Sequence, residues 1–192
     1  MKRSLKQAQL GFELMDRKRN ILIREMVSLS SEAKKLRGTI DQTYTAAYQA
    51  LQLANISMGV VSDIAKTIPV DSSVQLSTRS VMGTELPQLS AGRRDEKDIP
   101  YAMMQTNSSF DRAYLCFNRA KDITVRLAEI ENSIYRLAVA IKRTQKRANA
   151  LRNIIIPKYR GYVQYISNSL EEKEREEFSR QKVIKKAKMK KV

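Results

Sequence analysis

The sequence predicts a fold dominated by α-helices, a long antiparallel two-helix left-handed coiled coil with a short β-hairpin or loop region in mid-chain. Seven-residue repeats of apolar side chains run along two long segments of the 192-residue chain. The chain holds only six Gly and four Pro, with 6% aromatic residues, which disfavours an all-β fold or a long disordered segment. Three of the four prolines lie between the two repeats, so the break between the helices is predicted there.

The first long helix is predicted from a heptad pattern over residues 5–54. Thirteen of its fifteen a and d positions are apolar, and repeats sustained this long specify a left-handed supercoil. At about 1.5 Å per residue, such a helix is roughly 75 Å long. The a and d positions are Leu5, Ala8, Phe12, Met15, Arg19, Leu22, Met26, Leu29, Ala33, Leu36, Ile40, Thr43, Ala47, Ala50 and Ala54.

The middle region, residues 67–108, has a different composition. Apolar and polar side chains alternate from Val74 to Ser77, and a Gly lies a few residues further on. This pattern predicts a short β-hairpin or compact loop over Val74–Leu89. The charged stretch 91–98 is predicted to be a flexible turn. The prolines of this region are Pro69, Pro87 and Pro100.

The second long helix is predicted to follow Asn107, Ser108 and Ser109, which are all residue types that cap helix N-termini. Fourteen of its sixteen a and d positions are apolar, so the second helix can run back along the first. These positions are Ala113, Cys116, Ala120, Ile123, Leu127, Ile130, Ile134, Leu137, Ile141, Thr144, Ala148, Leu151, Ile155, Lys158, Tyr162 and Tyr165.

The second helix contains a predicted irregularity and a core cysteine. Pro157 removes a backbone hydrogen bond, and Gly161 weakens the helix again within about one turn, so a kink or restart is predicted there; such a bend can also be tolerated without any role. Cys116 occupies a core position, which favours a small buried hydrophobe over a reactive thiol. The segments predicted along the chain are therefore a first helix (1–66), the middle region (67–108) and a second helix (109–192).

Composition excludes several kinds of chemistry. The chain has no His and one Cys, so His-based triads, His metal ligands, an internal disulfide and a Cys-based zinc site are excluded. It has no phosphate-binding glycine loop and no obvious pair of carboxylates in a pocket. We therefore expect a protein that is not an enzyme and that needs no cofactor or metal. No signal peptide or membrane span is predicted, and a cytosolic location is expected.

The formal charge of +16 is concentrated at the chain ends. Residues 1–40 carry +6, residues 109–150 carry +5 and residues 151–192 carry +7, whereas residues 41–108 carry −2. Such a distribution is typical of a protein with an acidic partner: nucleic acid, an anionic membrane or an acidic protein surface. A solvated helix end is the simpler alternative for the basic C-terminal residues.

The 21 residues from Gln42 to Ser62, the uncharged segment, carry no charged side chain. Tyr44, Tyr48 and Leu51 lie beside the Ala-rich seam, so apolar character covers more than one helix face. Exposed helix faces are normally charged, so this segment is predicted to pack against a third element. That element can be another subunit or the chain's own middle region.

Five motifs, in this order, resemble the D subunit of V-type and A-type rotary ATPases across nearly the whole chain. They are GFELMDRKRNIL (Gly11 to Leu22), SVMGTELP (Ser80 to Pro87), PYAMMQTNSSFDRA (Pro100 to Ala113), RANALRNIIIP (Arg147 to Pro157) and LEEKEREEFSR (Leu170 to Arg180). The chain begins close to the first motif and lacks the leading segment expected in that family, so we expect its start to be short or misassigned.

The resemblance implies a non-catalytic rotor shaft in the central stalk, which couples ATP hydrolysis or synthesis to rotation of a membrane ring and to H⁺ or Na⁺ translocation. Both termini would point into a head of catalytic and non-catalytic subunits. A small F subunit would pack alongside, and a socket subunit would join the shaft to the membrane ring. The chain itself would neither enter the membrane nor bind nucleic acid; it would be cytoplasmic and peripheral to the membrane.

Long basic side chains suit contact with an acidic bearing in the head, because screened charge attraction has no single locking geometry. The predicted head contacts are Lys2, Arg3, Lys6, Arg17, Lys18, Arg19, Arg175, Arg180, Lys182, Lys185 and Lys186. The predicted contacts with the small partner or the socket are Tyr44, Tyr48, Leu51, Val74, Leu76, Val81, Met82 and Leu86.

Two other functions remain open from sequence. One is a basic coiled-coil protein that binds nucleic acid or the ribosome, although its aromatic residues are not interleaved with the basic clusters as a stacking surface requires. The other is the coiled-coil stalk of a type III secretion or flagellar export ATPase.

Overall fold

The computed structural model describes residues 1–92 and 100–189, without the side chains of residues 91, 105 and 187–189. Helix α1 (Lys2–Met58) is followed by α2 (Ser62–Thr67), β1 (Val74–Val81), β2 (Thr84–Ala91), a 3₁₀ turn (Met103–Gln105), α3 (Ser108–Ala150), a π turn (Leu151–Ile155) and α4 (Ile156–Met189). The predicted helical class with a central hairpin is confirmed. The handedness of the helix pair stays a prediction, and most of the predicted turn at 91–98 lies outside the described residues.

The chain divides into two compact units. The terminal unit combines Met1–Arg19 with Lys142–Val192, and the central unit is Asn20–Ile141. In the central unit α1 and α3 lie antiparallel, because contacts pair late residues of α1 with early residues of α3 and the reverse. Examples are Asn107 with Ser57 at 2.9 Å, Tyr44 with Thr124 at 3.0 Å and Arg37 with Glu131 at 2.6 Å.

The heptad positions of α1 form its packed face. All fifteen predicted a and d residues from Leu5 to Ala54 are buried or half-buried, and so are the first twelve of the second helix, from Ala113 to Leu151. Cys116 is half-buried and packs against Ala50, Ala54 and Ala113. Small side chains in this part of the seam let the two backbones approach closely.

The predicted heptad register is wrong after Leu151. Ile155, Lys158, Tyr162 and Tyr165 are exposed, whereas Ile156, Tyr159 and Val163 are half-buried. The reason is the π turn, whose hydrogen bond runs from the Ile156 N–H to the Leu151 carbonyl and so spans five residues instead of four. This adds one residue to the turn and moves the packed face by one position.

Pro157 explains why the wide turn lies here. Its ring would meet the carbonyl of Asn153 in a regular α-helix, and Asn153 lies within the π turn. The predicted interruption therefore takes the form of a π turn, and the chain remains helical on both sides of it. Opposite this region, a Cβ on Gly11 would lie 3.8 Å from Leu151 Cδ1, so Gly11 and Leu151 face each other within the terminal unit.

The ends of the central helices have clear local causes. Helix α1 ends at Met58 because Gly59 adopts φ 82°, a left-handed conformation that favours glycine. The short α2 then occupies the rest of the segment predicted as helix up to residue 66. At the start of α3, Asn107 Oδ1 accepts hydrogen bonds from the N–H groups of Ser109 and Phe110, both at 3.1 Å. The predicted N-cap is thus Asn107.

The hairpin packs against the helix pair of the central unit. Strands β1 and β2 pair antiparallel, and Met82 and Gly83 form a two-residue turn in which both have positive φ, 50° and 72°. Such turns match the twist of paired strands. Leu86 is 1% exposed and shares a core cluster with Leu22 of α1 and Leu137 of α3.

Truncation of Leu86 tests this packing. We expect Leu86→Ala to lower the free energy of unfolding by about 2–5 kcal/mol, because a buried Leu leaves a cavity between three elements. Leu76→Ala, in the neighbouring strand but 69% exposed, is the matched control and should change stability by less than about 0.5 kcal/mol. Urea unfolding followed by circular dichroism measures both, and equal effects would contradict the packing.

Cysteine labelling tests the shifted register. In a Cys116→Ala background, we expect Tyr159→Cys to react with a maleimide several-fold more slowly than Tyr165→Cys, because residue 159 is half-buried and residue 165 is 74% exposed. Both variants should react alike in denaturant. Faster labelling at 159 than at 165 in the folded protein would instead support the uninterrupted heptad register.

Candidate partner-binding surfaces

Within the described ranges, no group of His, Cys, Asp or Glu residues is arranged to hold a metal ion. No helix in that part of the chain is long and apolar enough to cross a membrane. The buried side-chain nitrogen and oxygen atoms described there all have hydrogen-bond partners. The described part of the chain offers charged and apolar exposed surfaces as candidate contact sites.

The net charge belongs almost entirely to the terminal unit. By sequence, this unit holds 22 basic and 7 acidic residues, a net of +15, and the central unit holds 14 basic and 13 acidic residues, a net of +1. The terminal unit is built from both chain ends, so the basic ends that the sequence predicts lie in one compact body. The two units therefore present electrostatically different surfaces.

Most of the predicted head-contact residues are exposed in this basic unit. Lys18 and Arg19 are half-buried, and the other nine are exposed: Lys2, Arg3, Lys6, Arg17, Arg175, Arg180, Lys182, Lys185 and Lys186. Arg175 forms an ion pair with Glu171 at 4.0 Å, as its spacing predicts. Lys182 lies 4.7 Å from the ring centroid of Phe178, a cation–π distance.

Arg19 differs from the others because its guanidinium is engaged inside the unit. It forms an ion pair with Asp16 at 2.6 Å and donates a hydrogen bond to Gln145 at 2.9 Å. Since Gln145 lies on α3, Arg19 joins the two helices at a polar position of the seam. Its main structural contact is therefore internal.

The end of α4 lacks a packed face. The described side chains from Leu170 to Lys186 are all exposed. Apolar side chains interrupt the charged ones, including Phe178, Val183 and Ile184. The described end of α4 therefore presents a solvated surface of charged side chains and isolated apolar groups.

The uncharged segment packs on one side and is exposed on the other. Its alanines Ala47, Ala50 and Ala54 are buried, and the Tyr48 ring lies edge-on to Phe117 at 5.6 Å. Tyr44 and Leu51 are half-buried, and the Tyr44 hydroxyl lies 3.0 Å from the Thr124 hydroxyl, so this side packs against α3.

The opposite side of this segment exposes large apolar groups. Ile56 is 81% exposed and Val60 is 86% exposed. Asn107 hydrogen-bonds to Ser57, which brings the segment before α3 to the same end, and Met103 and Met104 are exposed there. We call Ile56, Val60, Met103 and Met104 the apolar end. Exposed large apolar side chains at one end of the helix pair make this end a candidate interaction site.

An aromatic cluster stiffens the chain beside the apolar end. The Tyr101 ring lies edge-on to Phe110 and Tyr114, with centroid distances of 4.9 and 5.4 Å. Its hydroxyl donates a hydrogen bond to Asp111 at 2.7 Å. Burial raises the pKa of Tyr101, and the bond to Asp111 raises it further, so the hydroxyl stays protonated as a donor at neutral pH.

Hydrogen bonds hold the hairpin against α3 through the backbone of β2. Arg136 and Ser133 donate hydrogen bonds to the carbonyls of Glu85 and Pro87, at 3.2 and 3.4 Å. The Leu89 N–H donates to the Glu129 carboxylate at 3.3 Å. The edge of β2 that does not pair with β1 is therefore held by side chains of α3.

The predicted contact residues on the hairpin separate into two groups. Val74, Leu76 and Met82 are exposed, so they remain available to a partner. Val81 is half-buried, and Leu86 is a core residue. The expectation of a partner contact at Leu86 is therefore corrected: its side chain contacts Leu22 and Leu137 within the chain.

Comparisons with known proteins identify the family of this chain. The family model that describes the D subunit of ATP synthase matches residues 1–186. The chain belongs to this ATP synthase D-subunit family. The D subunit of a V-type ATP synthase from Thermotoga neapolitana is 43% identical over 96% of this chain and 92% of its own length. The A-type ATP synthase D subunits of Thermococcus sibiricus and Thermococcus kodakarensis are 36% and 34% identical, each over 96% of this chain and 88% of theirs.

The apolar end of this family member does not follow from the sequence patterns. Ile56 and Val60 belong to the uncharged segment, but the heptad pattern singles out only the positions beside the seam. Met103 and Met104 lie in a motif that carries the family resemblance, and their exposure depends on the turn before α3. The signal available in the sequence is the absence of charge around Ile56 and Val60.

Asp71 anchors the chain just before the hairpin. Its carboxylate accepts hydrogen bonds from Lys121 Nζ at 2.6 Å and from the Ser73 N–H at 2.9 Å. The Lys121 hydrogen bond, followed by those from Ser73, holds the pKa of Asp71 well below its ordinary value of 3.8. A lowered carboxyl pKa stabilises the folded state above the ordinary pKa, and this contribution declines as the pH falls below it.

We therefore expect Asp71→Asn to destabilise the protein at pH 7 and the difference from the parent chain to shrink as the pH falls below about 4. Urea midpoints at pH 7, 4 and 2.5 measure this. Asp63→Asn is the matched control, because Asp63 pairs with Lys66 on the exposed surface of α2, where ion pairs contribute little. A difference that is constant over the three pH values would contradict the proposed linkage.

Proposed function

We propose that this chain is the non-catalytic central-stalk rotor subunit of a V-type or A-type ATPase. In this role it couples ATP hydrolysis or synthesis in the head to rotation of the membrane ring and to translocation of H⁺ or Na⁺. The observation that carries the proposal is the separation of charge between the two units, together with membership of the ATP synthase D-subunit family.

The terminal unit has the charge expected for a contact with the head subunits. Its net charge of +15 is carried by long side chains, and attraction between such groups and an acidic lining is screened within about 8–10 Å. Contacts of this kind hold no single orientation, which a rotating part requires. Catalytic and non-catalytic head subunits are the proposed partners of this unit.

The central unit has the chemistry expected for a lasting contact with the ring, in which the two parts do not move relative to each other. It is nearly neutral, and it exposes the apolar end together with Tyr48, Val74 and Leu76. Apolar contacts give lasting association, because their strength depends on buried area and little on salt. The socket subunit is the proposed partner of the apolar end, and a small F subunit is the proposed partner alongside the hairpin.

This function needs no catalytic group in the chain. Rotation of an asymmetric part biases the conformations of the head sites, so it influences their chemistry through differential contacts. A cytoplasmic position at the periphery of the membrane follows from the proposed partners.

Paired variants test the two contacts. We expect Lys182→Glu, Lys185→Glu and Lys186→Glu together to abolish most copurification of the head subunits while the socket subunit is retained, because the variant reverses charge in the terminal unit alone. Ile56→Ser with Val60→Ser should do the opposite, since it removes apolar contact area from the central unit. Both should lower ATP-driven ion pumping in membrane vesicles several-fold.

Each variant has a control matched in kind and number. Arg24→Glu, Lys34→Glu and Lys35→Glu reverse three exposed charges in the central unit, and Ile21→Ser with Val27→Ser changes two exposed apolar residues of α1. Both controls should retain all partners. Loss of head and socket together in every variant, or copurification of neither with the parent chain, would exclude the proposed role.

A further inference from the structure

The two edges of the hairpin differ in a way that the proposed function does not explain. Residues Val81 and Thr84 flank the two-residue turn and therefore form a hydrogen-bonded pair. Along the two strands, hydrogen-bonded pairs then alternate with pairs that are not hydrogen-bonded. The backbone N–H and C=O groups of Val74, Leu76, Thr78 and Ser80 therefore point away from β2. On the other strand those of Glu85, Pro87 and Leu89 point away from β1.

The outward groups of β2 have partners. Glu85, Pro87 and Leu89 are the three residues whose backbone atoms bond to Arg136, Ser133 and Glu129 of α3. These bonds independently confirm which residues of β2 direct their backbone groups away from β1. Pro87 also fits, because its missing N–H falls on a position where the strand pairing needs none.

The outward groups of β1 are not bonded in the same way. Within residues 1–92 and 100–189, no hydrogen bond reaches the backbone atoms of Val74, Leu76, Thr78 or Ser80 outside the hairpin. Seven of the eight residues of β1 are exposed. An exposed edge of this length is normally blunted by Lys, Pro, a bulge or an inward charge.

The sequence of β1, VQLSTRSV, has no Lys, no Pro and no bulge, and its inward-facing charge is neutralised by an ion pair. Its one charged residue, Arg79, is directed to α1, where it pairs with Glu25 at 2.6 Å. The hairpin is also held in place by Leu86 and by α3, so its free edge is a rigid template. A template of alternating N–H and C=O groups has one matching ligand chemistry, an extended peptide strand.

We propose that the free edge of β1 binds an extended strand of a neighbouring protein subunit, which adds a third strand to the hairpin. Val74 and Leu76 lie on one face beside this edge, 41% and 69% exposed, so the added strand carries apolar side chains on that face. Four outward residues span about 20–24 Å, which matches a strand of about six residues. The inference rests on the proposed function only for the source of the strand, the other subunits of the complex.

Amide hydrogen exchange tests the edge directly. In the isolated chain, the outward amides of Leu76, Thr78 and Ser80 should exchange freely, and the inward amides of Ser77 and Arg79, which bond to β2, serve as internal controls. In the assembled complex, purified through a tag on a head subunit, we expect the outward amides to slow by about tenfold or more. Residue-resolved mass spectrometry after quenching measures both states.

A proline variant supplies the second measurement. Thr78→Pro removes one outward N–H at the position opposite Pro87, where the strand itself tolerates proline, and should weaken partner retention about tenfold or more. Thr78→Ala keeps the N–H and should retain the partner. Unchanged inward-amide exchange in Thr78→Pro verifies that the hairpin is folded.

The outcomes separate this proposal from the proposed function. Outward amides that stay unprotected in a complete complex would overturn the added strand but leave the rotor role intact. Protection already present in the dilute isolated chain, or protection that rises with its concentration, would also overturn it, since the edge would then be covered by the chain itself or by a second copy. A chain that copurifies with no ATPase subunit would overturn the rotor role first.

Discussion

The packing of Leu86 between Leu22 and Leu137 is the contact on which the central unit depends. It is the point where the hairpin, α1 and α3 meet, so it fixes both the position and the orientation of the hairpin. Once Leu86 is buried, Glu85, Pro87 and Leu89 face α3 and are bonded there. The opposite edge, that of β1, is then necessarily the outer one.

Charge divides the same chain into two kinds of surface. Repulsion within a unit of net +15 is tolerable because its basic groups lie on long, exposed side chains in water. The nearly neutral central unit can use apolar side chains for contact without that repulsion. The proposed rotor role, in which the chain slides against one partner and stays fixed to another, would use one of these chemistries in each unit.

Much of this fold follows from side-chain pattern alone. Heptads predict the buried positions up to Leu151, and Asn107 is a cap by residue type. The register beyond Leu151 could not be predicted, because Ile154, Ile155 and Ile156 are all apolar and any of them suits a core position. The position of Leu86 could not be predicted either, since an alternating strand does not reveal which face meets a helix. The charge of the ends could be predicted from sequence. The exposure of Val60 could not, because it depends on α1 ending at Met58, before Gly59.

The exposed features share one physical consequence. An open strand edge at β1, the apolar end and the apolar residues of the unpacked end of α4 all favour association when a surface of suitable chemistry is near. Each feature suits a partner surface of different chemistry. The strand edge suits a backbone that hydrogen-bonds in register, and the apolar end suits a complementary apolar cavity. The basic end of α4 suits acidic groups. Three contacts of such different chemistry do not compete for the same partner. In the proposed rotor role, these described surfaces would therefore suit different subunits of the complex, each recognised by its own chemistry.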